Sequence, residues 1–241
     1  MNRMNYRMVV SGMFIFVSTF LVAQNNTKIN KKSFHKQLQE RSTEQIHQLK
    51  DGALLVCLKT NELTLASLRK NGKTVQADAL EKNQAAINQN IITAFREQFN
   101  FCPVYFFYSN YSPAIKDRKF DNVVFLNDTL QPDPTIKFSK KSFLIAHFGV
   151  VLQGTAKYLE GREIVSDGNF SVKEVNTYYG GPNFGYDGLV ISSDAFVQLR
   201  SPFPYFQRTF DSKLKRKVLN RVVKRMNKRL TSFYNNRSST V

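Results

Sequence analysis

Gly52-Ala-Leu-Leu-Val-Cys-Leu-Lys59 and Phe101-Cys-Pro-Val-Tyr-Phe-Phe-Tyr108 are two apolar runs of strand length. A run without polar alternation suits a strand covered on both faces, as in a parallel sheet. Between them, Thr74 to Phe99 carries Leu80, Ile87, Ile91, Phe95 and Phe99 at helical spacing, with Lys82, Asn83, Asn90 and Glu97 elsewhere on the wheel. Residues 61–70 predict a shorter helix, and Asn71-Gly72 breaks the pattern between the two. Strand, helices and strand make a βαβ unit, whose crossover is right-handed.

Outward from this unit, Ser33 to Lys50 predicts a helix that ends at Asp51-Gly52. Asn122 to Leu126, Ser142 to Leu152 and Gly188 to Leu199 predict further strands, with a loop at Gln131-Pro-Asp-Pro134. Glu163 to Val165 and Phe170 to Val175 fit a peripheral hairpin. A long helix from Asp211, its N-cap, to about Tyr234 closes the chain. The expected fold is α/β: a mixed, mostly parallel sheet of about five strands covered by helices, with a long amphipathic C-terminal helix. Residues 33–235 form one domain in this reading, 24–32 a flexible lead and 236–241 a disordered tail.

Residues 1–23 read as an export signal. Arg3 and Arg7 supply the positive region, Met8 to Ala23 carry no charge, and Ala23 is a small residue suited to cleavage. The Ala23-Gln24 junction resembles that of exported proteins from Gram-negative bacteria. The uncharged run is shorter than the roughly 20 residues of a spanning helix. The expected location is therefore periplasmic or secreted, after cleavage of the leader. That location implies no nucleotide cofactor and no nucleic-acid partner. Without the leader, 218 residues are enough for a substantial core.

The formal charge is +17, and it is local. Residues 208–237 hold eleven Lys and Arg against Asp211 alone. On the C-terminal helix, Leu214, Val218, Leu219, Val222, Met226, Leu230 and Phe233 share one side, while Lys213, Lys217, Arg221, Lys224 and Lys228 group opposite. Lys215, Arg225 and Arg229 intrude on the apolar side and must snorkel. This pattern serves a helix docked on its own sheet, and it also serves a membrane-surface helix. Either way the cationic strip selects an anionic envelope component or membrane surface.

Other candidates are weaker. Tyr178-Tyr-Gly-Gly-Pro-Asn-Phe-Gly-Tyr-Asp-Gly188 offers Tyr178, Tyr179 and Tyr186 as stacking faces for a sugar or peptide, or else is a connection pinned by its aromatics. His147 lies in an apolar strand, as a core residue or as the general base of a secreted hydrolase oriented by Asp187 or Asp194. Ser192 and Ser193 adjoin Asp194, but no Gly-x-Ser-x-Gly, His-Glu-x-x-His or Walker-type loop accompanies them. Cys57 and Cys102 are either a disulfide closed in an oxidising compartment or two buried thiols. No metal-ligand spacing exists, and no cofactor is implied. A third functional reading is an assembly subunit of an envelope complex that meets its partner through Pro202-Phe-Pro-Tyr-Phe206.

Overall fold

The computed structural model describes residues 36–152, 157–166, 170–180, 185–210 and 214–238, with backbone alone for 157–166 and 170–180. The leader, the lead segment, Asp211, Lys213 and residues 239–241 lie outside the described residues. The chain runs α1 (36–51), β1 (Ala53–Leu58), α2 (Glu62–Lys70), α3 (Thr74–Gln98), β2 (Val104–Tyr108) and a short α4 (Ser112–Lys116). It continues with β3 (Phe125–Leu126), β4 (Pro132–Asp133), β5 (Phe143–Leu152), β6 (Lys157–Ser166), β7 (Phe170–Gly180), β8 (Gly185–Ser192), β9 (Phe206–Arg208) and α5 (Arg216–Ser238).

The expected α/β sheet is present, with seven strands in the order β4-β3-β2-β1-β5-β8-β9. The parallel part is its centre, where β1 pairs with β2 on one side and β5 on the other. β3, β4, β8 and β9 extend it with antiparallel pairs. Strands β6 and β7 pair only with each other among the described residues, forming the expected hairpin as a ribbon ten residues long.

Alternation along the central strands divides two cores. Leu54, Val56, Leu58, Phe106, Leu144, Ala146 and Ile191 face α1, α3 and α5. Leu55, Phe107, Phe125, Phe143 and Ile145 face α4 and the segment that carries Phe120, Ile136 and Phe138. Each large apolar side chain sealed between these layers contributes roughly 1.5–3 kcal/mol. Gly52 joins α1 to β1 where the chains nearly touch: a Cβ there would sit 2.2 Å from the Ser142 carbonyl oxygen and 2.6 Å from that of Gln48. Gly72, at φ 71°, makes the turn between α2 and α3 that a side chain would strain.

The sheet has seven strands where about five were expected, the expected loop at Gln131 to Pro134 holds the short β4, and β8 ends at Ser192 rather than Leu199. α5 continues through Ser238, because the Ser238 and Thr231 hydroxyls donate to the carbonyls of Tyr234 and Asn227 and keep the last turns closed. The tail expected from residue 236 is thus helical over its first three residues. The β5–β8 ribbon also coils. Gln198 bridges Ser192, seven residue pairs from Leu152 in the register and about 23 Å away in a flat ribbon. Even so, the Gln198 amide donates to the Leu152 carbonyl at 2.8 Å, and its Oε1 accepts the Leu152 N–H at 3.0 Å.

Candidate anion-binding surface

α5 is docked. Leu219, Val223, Met226 and Leu230 are fully buried and Val222 nearly so, all within the core shared with α1 and α3. Polar contacts fix the helix further. Glu97 on α3 accepts from the Arg216 guanidinium and, at 2.8 Å, from Asn220 Nδ2. Asn227 Oδ1 accepts the backbone N–H groups of Asn100 and Phe101 at 3.1 and 3.0 Å. Arg229 donates to the Phe206 carbonyl and lies over its ring. The pairing with Arg216 and Asn220 holds the Glu97 carboxyl below its usual range.

The outer face is cationic. Lys217, Arg221, Lys224 and Lys228 recur at intervals of four, three and four residues, all exposed, in a row of about 16 Å. Arg225, taken from sequence as an intruder on the apolar side, is exposed beside them. Among the described residues no carboxylate forms an ion pair with any of these five. Like charges three and four apart oppose helix formation by about 0.2–0.5 kcal/mol per pair, so this row is not explained by the stability of α5.

The hydrolase candidates do not assemble. His147 sits on the α4 side of the sheet, whereas Asp187 pairs with Val150 and belongs to the opposite side. Asp194 lies toward the other end of β5, where it is paired with Arg118 at 2.5 Å. Burial, with Lys59 nearby, pushes His147 below the ordinary imidazole range. Tyr186 packs on Phe206 at 5.4 Å and under Arg208 at 4.9 Å, so it is engaged within the edge of the sheet. Tyr178 and Tyr179 fall in β7, and their side chains lie outside the described set. The Pro202–Phe206 run turns inward, with Phe203 buried against Phe233.

Cys57 and Cys102 are free. Cys57 is level with Phe107, five residues along β2 from Cys102, a gap of about 16 Å. A bridge needs Cα atoms within about 7 Å. Of the two open readings, buried thiols is the one observed. Burial pushes Cys57 to about 11 and Cys102 to about 12, far from the thiolate range that reactive cysteines occupy.

A second group of polar residues, of which the sequence singles out only Cys57 and His147, gathers at the carboxyl end of β1. Cys57 and His147 are the last register partners of β1 and β5, and the Ser112 hydroxyl approaches the Cys57 sulfur. Thr60 Oγ1 and Ser109 Oγ lie 3.3 Å apart across the ends of β1 and β2. Asn88, 3% exposed, donates to the Lys59 carbonyl at 2.9 Å and accepts from Gln84, which in turn accepts from Asn61. Comparison with protein-family models, with curated proteins and with solved structures finds no match for the chain. Among the described residues no His, Cys, Asp and Glu group has metal-site geometry, and no helix is long and apolar enough to cross a membrane.

Proposed function

We propose that this chain is an exported, non-enzymatic protein that attaches to an anionic surface of the cell envelope through the outer face of α5. The observation that carries this reading is the exposed row Lys217, Arg221, Lys224 and Lys228 on a helix whose apolar side is used up in the core. A docked helix has no apolar face left for insertion into lipid. Attachment is therefore electrostatic, each cation contributing on the order of 1 kcal/mol near a charged surface.

Vesicle sedimentation tests it. Binding rises with the fraction of anionic lipid and falls between 0.1 and 1 M salt, as the screening length shrinks from about 10 to about 3 Å. Reversing Lys217, Arg221, Lys224 and Lys228 to Glu lowers affinity at least about a hundredfold. Equal binding to neutral vesicles, or full binding by the reversed variant, rejects the proposal. Export is read separately: mass spectrometry of native protein that finds Met1 retained, in the cytosol, removes the envelope as the partner.

A further inference from the structure

The sheet has a switch point between β1 and β5. β1 passes to β2 through α2 and α3, and α3 lies on the side of the sheet that faces α5. β2 returns to β5, beyond β1, through α4 and the segment carrying Phe120 and Phe138 on the opposite side. Where two such connections diverge, a crevice opens outside the carboxyl ends of the strands, and open α/β sheets bind ligands there.

Polar groups gather at those carboxyl ends. The His147 ring lies along β5 toward its carboxyl end: a Cβ on Gly149 would meet Cδ2 at 3.0 Å and Nε2 at 3.3 Å. Glycine at 149 is what lets the imidazole lean that way. Lys59, exposed two residues beyond Cys57, is close enough for its charge to act on both the thiol and the imidazole. Its backbone is pinned by the Asn61–Gln84–Asn88 chain of hydrogen bonds, which fixes the end of β1. Thr60, Ser109 and Ser112 add hydroxyls from the ends of β1 and β2.

We infer that this crevice binds a small soluble ligand through an oxyanion group, phosphate or carboxylate, held by Lys59, His147 and the hydroxyls of Thr60, Ser109 and Ser112. A cation beside neutral imidazole and hydroxyl donors is what such a group requires. The site is independent of α5, because Cys57 and His147 face the other side of the sheet.

Two reporters sit inside it. In the mature protein, titration with inorganic phosphate or acetate shifts the His147 ring resonances to saturation, while chloride at equal ionic strength does not. The Cys57 resonances, next to His147 in the register, shift over the same concentration range. Saturation by phosphate alone assigns a phosphate ester, and by acetate alone a carboxylate; either supports the site. Lys59→Met raises half-saturation on the order of tenfold, and the four-fold charge reversal on α5 leaves it unchanged. The inference fails if His147 and Cys57 respond to phosphate and acetate no more than to chloride. It fails equally if Lys59→Met, a change at an exposed side chain, leaves saturation where it was, or if the α5 reversal abolishes the response.

Discussion

His147 shows how a single side chain changes meaning once its neighbours are known. In sequence it is an imidazole within an apolar run; in the sheet it stands beside Cys57, with Gly149 making room for its ring. Burial first, and the Lys59 charge second, lower its pKa. The unfolded chain takes up a proton near pH 6.5, but the folded protein takes it up only at lower pH. Below about pH 6.5 the unfolded state therefore binds more protons, and stability falls as pH drops toward the folded value. Urea unfolding between pH 7.5 and 5 should show this loss in the wild type and a flatter curve in His147→Gln. Identical slopes in the two proteins would mean that the imidazole protonates freely in the folded state. The carboxylates proposed as its partners fail for a reason that spacing does not reveal. Asp187 has the wrong parity on β8 to share its side of the sheet, and Asp194 is held by Arg118.

Among the elements, α5 separates packing from binding most clearly. Met226→Ala removes a fully buried side chain and should cost about 2–5 kcal/mol. Replacing Lys217, Arg221, Lys224 and Lys228 together by Gln relieves like-charge contacts and should leave stability equal or slightly higher. Chemical denaturation measures both. A large loss in the Gln variant would give the cationic row a structural role instead. The stripe on α5 was legible because its apolar face repeats over about five turns and its cationic face over about three; α3 was legible from a similar repeat, and β1 and β5 from apolar runs. β3 is the end of the longer strand expected over Asn122 to Leu126, whereas β4 and β9, of two and three residues, were not legible. Strands that short exist because neighbouring strands offer them partners, and no local periodicity announces them.

For the whole molecule, the two candidate sites lie on opposite sides of one sheet. Attachment through α5, as proposed, would therefore not engage the side of the sheet that carries Cys57 and His147. The α/β class was readable from the alternation of runs, whereas the strand order was not. Lys59, Ser112 and His147 come from three separated segments, and only the winding of the chain, out from β1 to β2 and back past β1 to the parallel β5, brings them together. The same order leaves β5 running five residues beyond its last partner on β1, with no strand on that edge among the described residues. An uncapped edge recruits extended segments from other molecules. Gln198 closes part of it, since its amide impersonates a peptide group and occupies both the donor and the acceptor of Leu152. Gln198→Ala should therefore convert a quiet margin into an adhesive one, visible in light scattering as concentration-dependent self-association. A variant that stays monodisperse at every concentration would show that the curl of the ribbon, rather than the amide, guards the molecule against its own copies.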